Sequence, residues 1–205
     1  MSLKDRLELL NLDCFSDSDQ EIVIKEKAAE GKATLLLKVA RRCLALHDAD
    51  TRKISYLKNQ KVADCIMLEL EGERAVALHV FELKRTITSK TWPSIQTQFS
   101  GAFHNALGLL GVLGLAVPEK IFFYAAFCRD NLVTAPVSSK MLINQEDPIT
   151  ENARIVKNWH QETIDIAWAK DPQLKKIQWN WENMSPYSYI LPSTQSCMTV
   201  TATRI

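Results

Sequence analysis

Two apolar runs joined by a glycine-containing turn constrain the fold of this chain more than any other feature. Residues 62–70 read Val-Ala-Asp-Cys-Ile-Met-Leu-Glu-Leu, residues 75–84 read Ala-Val-Ala-Leu-His-Val-Phe-Glu-Leu-Lys, and Glu71-Gly72-Glu73 lies between them. Two such runs around a short turn that contains glycine predict a β-hairpin. Because apolar residues fall on both faces of each run, we expect the hairpin to lie in a sheet that is covered on each side.

The segment after the hairpin predicts a helix and then a buried strand. Pro93 suits a first helical turn, and we expect the helix over about residues 94–113, with Pro118 beyond its end. Residues 121–128 are apolar throughout and predict a strand at the centre of the sheet. Together these elements predict an α/β fold with a mixed central β-sheet flanked by helices.

The rest of the chain predicts further elements from its periodicity. Asp17-Ser18-Asp19 is typical of an N-cap, which favours a helix that begins near Gln20. The other predicted elements are a helix at 36–44, a short strand at 53–57, a helix at 152–159 and an edge strand at 163–168. No repeat or linker divides the chain, so we interpret residues 1–205 as one domain, with a core over about 20–130 and a C-terminal extension over about 131–205.

Composition limits the class of protein. The formal net charge of +1 provides no overall basic field to attract nucleic acid. The five cysteines are an odd number without zinc-ligand spacing, which favours a reducing compartment, and we expect a cytoplasmic location. The longest apolar run, residues 106–117, is too short to cross a bilayer, so we expect no membrane partner.

Two acids and a lysine meet at one end of the predicted hairpin. Asp64 begins the first run, whereas Glu82 and Lys84 end the second and share a face because they are two residues apart on a strand. Asp64 shares that face only if the hairpin pairs residues whose numbers add to an even value, such as Asp64 with Glu82. A three-residue loop at Gly72-Glu73-Arg74, or a bulge, gives this register, whereas a plain two-residue loop turns Asp64 to the other side.

This set of side chains suits the hydrolysis of phosphodiester bonds. Carboxylate oxygens, here from Asp64 and Glu82, are the ligands that Mg²⁺ prefers. A bound Mg²⁺ or Mn²⁺ polarises a phosphoryl oxygen and lowers the pKa of its own water. The ammonium of Lys84 can orient the attacking water and offset charge that develops on the phosphate.

The residues also resemble the signature of the PD-(D/E)xK nuclease superfamily. Val62-Ala63-Asp64 is followed after seventeen residues by Glu82-Leu83-Lys84, with Ala63 in the place of the proline. Over about residues 20–130, the expected order of helix, hairpin, crossing helix and strand resembles the restriction-endonuclease-like core. The resemblance implies that Asp64 and Glu82 bind metal, that the carbonyl of Leu83 adds a ligand, and that Lys84 assists the attacking water.

The resemblance implies further roles for polar side chains outside the hairpin. A polar residue on the next helix would be Gln96 or Gln98, and an acid on the first helix would be Glu26 or Glu30. Relatives that cut two strands with two subunits make a homodimer plausible. Arg85 and Lys90 flank the site in sequence, and with Gln96 they are the candidate contacts to nucleic acid. We expect the nucleic acid to be DNA.

Two other interpretations stay open. A nuclease-like domain without activity would serve as a nucleic-acid-binding or protein-binding module, which the Trp-rich C-terminus and the near-neutral charge favour. In an unrelated interaction protein, Glu82 and Lys84 would be a solvated strand end. His79 falls on the face opposite Glu82, and we interpret it as a core histidine whose hydrogen bonds are satisfied.

Overall fold

The computed structural model describes residues 1–10, 12–26, 33–47, 61–132, 151–178, 187–190 and 197–200. These ranges contain ten β-strands, three α-helices and a short 3-10 turn. The helices are α1 (Leu3–Leu7), α2 (Thr91–Leu113) and α3 (Glu151–His160), and the 3-10 turn is Leu12–Cys14. The strands are β1 (Phe15–Ser18), β2 (Glu21–Glu26), β3 (Ala33–Lys38), β4 (Cys43–His47), β5 (Cys65–Glu71), β6 (Arg74–Ile87), β7 (Lys120–Asp130), β8 (Gln173–Gln178), β9 (Tyr187–Ile190) and β10 (Cys197–Val200).

Six of the strands form one mixed sheet in the order β1-β4-β5-β6-β7-β8. The pairs from β1 to β6 are antiparallel, and β6, β7 and β8 are parallel. The mixed sheet is therefore confirmed, as is the β5–β6 hairpin. The expectation that residues 121–128 form the central strand is wrong, because β7 is next to the edge and β5 and β6 occupy the centre.

Helix α2 covers one face of this sheet. It begins at Thr91 with Pro93 in its first turn, as predicted, and it ends where Gly114 adopts a left-handed φ of 60°. Its buried side packs with the sheet in a core that includes Val80, Phe99 and Phe123. Trp159 of α3 joins the same core.

A second sheet, in the order β2-β3-β10-β9, contributes the core on the other face. Ile22 and Leu37 of this sheet pack in one core with Met67 and Phe81 of the six-stranded sheet. The hairpin is thus covered on both sides, as its two apolar faces indicate. However, helices cover one face only, because the other layer is a sheet.

Two helices predicted in the N-terminal part are wrong. Residues 21–26 form β2, and residues 36–44 fall largely in β3 and β4. Ser18 does accept hydrogen bonds, at 3.1 Å from the backbone N–H groups of Gln20 and Glu21, but it stabilises the turn between β1 and β2. A serine in a turn and a serine at an N-cap have the same local sequence, and here pairing with other strands decided the outcome.

The C-terminal part is partly as predicted. Helix α3 confirms the helix expected at 152–159. The edge strand expected at 163–168 is wrong, because only Thr163 forms a bridge there, to Gln173, and the edge strand is β8. The short strand expected at 53–57 lies outside the described residues. Among the helices that the structure describes, no helix has the length and apolar content needed to cross a membrane.

Candidate active site

The register of the β5–β6 hairpin determines where the candidate residues lie. Cys65 pairs with Phe81 and Glu69 with Ala77, so the paired numbers add to an even value. The turn itself is short, since Glu71 pairs with Arg74, and a bulge between Glu69 and Leu70 supplies the extra residue. The condition stated for Asp64 is therefore confirmed, through a bulge and not through a three-residue loop.

Asp64 lies immediately before β5 and next to the end of β6. Continuing the register by one residue places it opposite Glu82. Its carboxylate oxygen Oδ2 accepts a hydrogen bond of 2.7 Å from the backbone N–H of Leu83, the residue between Glu82 and Lys84. Both acids and the lysine therefore lie beside one another on two neighbouring strands.

Burial differs among these three side chains. Glu82 is fully buried, Asp64 is half-buried, and the side chain of Lys84 is 30% exposed. The ammonium of Lys84 forms an ion pair with the carboxylate of Glu82. This pair supplies a counter-charge to the buried carboxylate inside the protein.

The face of the sheet that carries Glu82 and Lys84 is the one beneath α2. Leu78 and Val80 precede Glu82 and Lys84 at two-residue spacing along β6, so all four side chains share a face. Leu78 and Val80 belong to the core that includes α2. On α2, Gln98 follows Ile95 by three residues, so it lies on the same side of the helix. The amide oxygen of Gln98 is buried and has no hydrogen-bond partner among the described residues.

The other candidates are placed less favourably. Arg85 is exposed and, as the next residue after Lys84 on β6, points to the opposite face. Lys90 is exposed at the start of α2, and Gln96 is half-buried on that helix. Glu26 ends strand β2 and lies on no helix, so the expected first-helix acid is wrong for this residue, and Glu30 lies outside the described residues.

One cation of this face could not be located from the sequence. Glu82 pairs with Ala125 of β7, and Ala125 pairs with Lys176 of β8, so the three lie in one row across the sheet. The ammonium of Lys176 donates to the carbonyl of Trp159 at 3.2 Å and lies 5.0 Å from the centre of its ring. The sequence shows only a Lys-Lys pair, because the pairing of β7 with β8 depends on long-range contacts.

The oxygen donors of this site are few. No cluster of three or more His, Cys, Asp or Glu side chains that could hold a metal occurs in the ranges given above. Mg²⁺ is commonly held by one or two carboxylates with waters completing its shell. Asp64 and Glu82 on adjoining strands therefore fit Mg²⁺ or Mn²⁺, with the carbonyl of Leu83 as a further oxygen.

The opposite face of the hairpin carries a polar cluster, which we name the Glu69 network: buried Glu69, His79 and Tyr124, with exposed Arg41 at its margin. Burial lowers the pKa of His79, while its hydrogen bond to Glu69 and the charge of Glu69 act in the other direction. The neutral ring donates from Nε2 to Glu69 Oε2 at 3.4 Å, because a carboxylate can only accept, and Nδ1 accepts from the hydroxyl of Tyr124 at 3.1 Å. The interpretation of His79 as a satisfied core histidine is confirmed.

A guanidinium and a thiol complete the surroundings of Glu69. A guanidinium nitrogen of Arg41 lies 3.4 Å from Glu69 Oε1. Cys43 pairs with Glu69 across β4 and β5, and burial, with a smaller contribution from the charge of Glu69, raises the pKa of the Cys43 thiol to about 12.

No family model, curated protein or solved structure with which the chain was compared matches it.

Proposed function

We propose that the protein is a metal-dependent nuclease of the PD-(D/E)xK kind, with Asp64, Glu82 and Lys84 at its catalytic centre. The observation that supports this most is the bulged register, which places Asp64 opposite Glu82 and in hydrogen-bond contact with the backbone of Leu83. A plain two-residue turn would have separated the acids onto opposite faces.

The fold gives partial support to a restriction-endonuclease-like core. The hairpin β5–β6, the helix α2 and the strand β7 parallel to β6 follow the expected order. The helix expected before the hairpin is replaced by strands β2 to β4, and α1 has only five residues. The proposal therefore rests on the site and on the second half of the core.

The metal would be held by the oxygens of Asp64 and Glu82, with the Leu83 carbonyl beside them. When bound there, Mg²⁺ or Mn²⁺ supplies a Lewis acid for a phosphoryl oxygen and acidifies a coordinated water. The ion pair with Lys84 supplies the counter-charge of buried Glu82 in the metal-free protein. An ammonium and a metal ion would compete for this carboxylate, so a bound metal would leave the ammonium of Lys84 available to other partners.

Lys84 and Gln98 act on the substrate and the attacking water. The ammonium of Lys84 would help to orient the attacking water and would offset the charge that develops on the phosphate. The buried amide oxygen of Gln98 accepts a hydrogen bond from the attacking water and orients it. Lys90 and Gln96, at the beginning of α2, are the proposed contacts with the nucleic acid backbone, and Arg85 would reach it only around the strand end.

The proposed substrate is DNA, and a homodimer would allow two strands to be cut. The experiment that tests the activity is cleavage of supercoiled plasmid and single-stranded DNA with Mg²⁺, Mn²⁺ or EDTA. We compare wild type with Asp64→Asn and with Asp17→Asn, which removes an exposed carboxylate that pairs with Arg42 and lies on the edge strand β1. Cleavage that requires metal, disappears in Asp64→Asn and persists in Asp17→Asn supports the proposal. Cleavage that survives in Asp64→Asn contradicts the proposed site.

A second candidate function is a nuclease-like binding module without activity. The observation that favours it is the complete burial of Glu82 together with its ion pair to Lys84, because both restrict access of a metal. The two functions differ in the response of Lys84→Met to metal. In the nuclease this variant, which lacks the competing ammonium, gains more thermal stability from Mg²⁺ than wild type does, whereas in a module that has lost the metal neither protein responds.

A further inference from the structure

The two faces of strand β5 are similar in their apolar character, so hydrophobic patterning specifies the register of the hairpin weakly. Cys65 and Met67 pack in the core beneath the second sheet, whereas Ile66 and Leu68 pack in the core beneath α2. A slip by one residue exchanges the two sets between the faces. Both faces are buried, and an exchange of Met for Leu is among the best tolerated changes in a core.

The pairs next to the turn, continued without a bulge, would give the slipped register. Glu71 pairs with Arg74 around Gly72 and Glu73, and continuing from that pair without a bulge would place Asp64 opposite Phe81. Asp64 would then face the second sheet, on the other side of β6 from Glu82. Some other feature must therefore favour the bulge that restores the observed register.

Glu69, the last residue before the bulge, supplies that feature. Its side chain is only 1% exposed, and its carboxylate lies 3.4 Å from His79 and 3.4 Å from Arg41. The backbone N–H of the next residue, Leu70, donates to the carbonyl of Arg42 at 2.8 Å, which fixes the bulge to the chain that enters β4. In the slipped register Glu69 would pair with Val76 and point into the core beneath α2, away from both partners.

We propose that the Glu69 network selects the register of the hairpin and thereby positions Asp64 beside Glu82 on the opposite face of the sheet. A buried carboxylate that loses its partners is strongly unfavourable, so Glu69 disfavours the slipped register, in which β5 would also lose its present pairing with β4. Buried polar groups fix the register of other structures in the same way. Glu69 and His79 are then positioning residues, and the inference rests on the proposed nuclease function only for its effect on cleavage.

The register can be measured directly by nuclear Overhauser contacts between the backbones of β5 and β6. The observed register predicts contacts between Cys65 and Phe81 and between Leu68 and Leu78, whereas the slipped register predicts contacts between Cys65 and Val80. This readout does not depend on metal, substrate or activity.

Three variants separate register selection from ordinary stability. Glu69→Leu with His79→Leu replaces the polar pair by apolar groups, Leu68→Glu with Glu69→Leu moves the carboxylate by one residue, and Met67→Leu is a matched change on the same face. In the slipped register residue 68 faces the second sheet, where Glu69 lies in the wild-type protein. The moved carboxylate therefore favours the slip.

We expect Glu69→Leu with His79→Leu to fold with thermal stability close to that of wild type, since replacement of both partners of a buried hydrogen bond by apolar groups can be nearly neutral. Its spectra should contain a second set of contacts, those of the slipped register, at about 10% or more of the total. The variant Leu68→Glu with Glu69→Leu should show mainly the contacts of the slipped register and should lose metal-dependent cleavage. Met67→Leu and wild type should show one register.

A single native register in both the apolar pair and the moved carboxylate would overturn the proposal, because packing alone would then select it. Failure of both to fold while Met67→Leu folds would also overturn it, because the network would then contribute stability and not choice. Slipped contacts in the variants, with no cleavage by wild type, would support the register proposal and contradict the nuclease. Cleavage by wild type with no slipped contacts in any variant would support the nuclease and contradict the register proposal.

Discussion

Replacement of Asp64 separates its structural contact from its proposed chemistry. In Asp64→Ala the backbone N–H of buried Leu83 loses the carboxylate that accepts from it at 2.7 Å. A hydrogen bond to a charged group contributes about 1.5–3 kcal/mol, so we expect the free energy of unfolding to fall by about that amount. For a chain of this length the corresponding fall in Tm is roughly 3–12 °C.

Asp64→Asn retains an oxygen that can accept from Leu83 but carries no charge. The remaining neutral hydrogen bond contributes about 1 kcal/mol, so this variant should lose less stability than Asp64→Ala does, by about 1 kcal/mol. Both variants should lose metal-dependent cleavage, because an amide oxygen binds Mg²⁺ much less well than a carboxylate does. Loss of cleavage with most of the stability retained would assign Asp64 to the chemistry.

Urea titrations of the unfolding equilibrium provide the measurement, and Asp17→Ala is the control. Asp17 and its partner Arg42 are both exposed by about two fifths, and such surface pairs contribute about 0–1 kcal/mol. If Asp64→Ala lowers the free energy of unfolding no more than Asp17→Ala does, the hydrogen bond to Leu83 does not stabilise the fold. If Asp64→Asn costs as much as Asp64→Ala, the reasoning about the retained acceptor is wrong.

Three further predictions follow from buried groups. The free energy of unfolding of wild type should fall as the pH drops below about 6.5, because the pKa of His79 is lowered by burial and the unfolded chain takes up the proton first. Urea titrations at several pH values should show a weaker dependence of this free energy on pH in His79→Gln. An equal dependence on pH in both proteins would contradict the assignment to His79. Trp159 is fully buried and its indole N–H donates to Asp130 at 2.8 Å. In urea titrations Trp159→Ala should therefore cost about 3–5 kcal/mol and Trp159→Phe distinctly less; equal costs would show that cavity formation is unimportant. The thiol of Cys43, with its pKa raised to about 12, should resist iodoacetamide in the folded protein at pH 8, whereas partly exposed Cys128 should react, and peptide mass spectrometry distinguishes the two.

The parts of the fold that the sequence predicts correctly are those with strong local signals. Pro93 in a first turn and a long run of small and apolar residues are enough for α2, and Gly72 is enough for the hairpin turn. The strand at residues 21–26 is not predictable in this way, because the alternation of buried Ile22 and Ile24 around a half-buried Val23 is too short to be distinguished from a helical pattern.

The candidate site could be predicted as far as residue identity but not as far as geometry. Asp64, Glu82 and Lys84 are recognisable by spacing, whereas the bulge that aligns them depends on contacts of Glu69 with residues far along the chain. The burial of Glu82 could not be foreseen either, because strand-end acids are usually exposed and the position of α2 above it is a tertiary feature.

The second sheet joins segments from distant parts of the chain, since β10 pairs with β3, as in the pair Met198–Leu37. During synthesis on the ribosome, β3 is therefore made long before its partner. Until β9 and β10 are synthesised, the edge of β3 has unpaired backbone groups, and such edges associate readily with other chains. Pairing with β9 and β10 should therefore protect the new protein from aggregation. Tags or truncations near residues 187–200 should lower the yield of folded protein more than the position of these residues in the sequence alone would indicate.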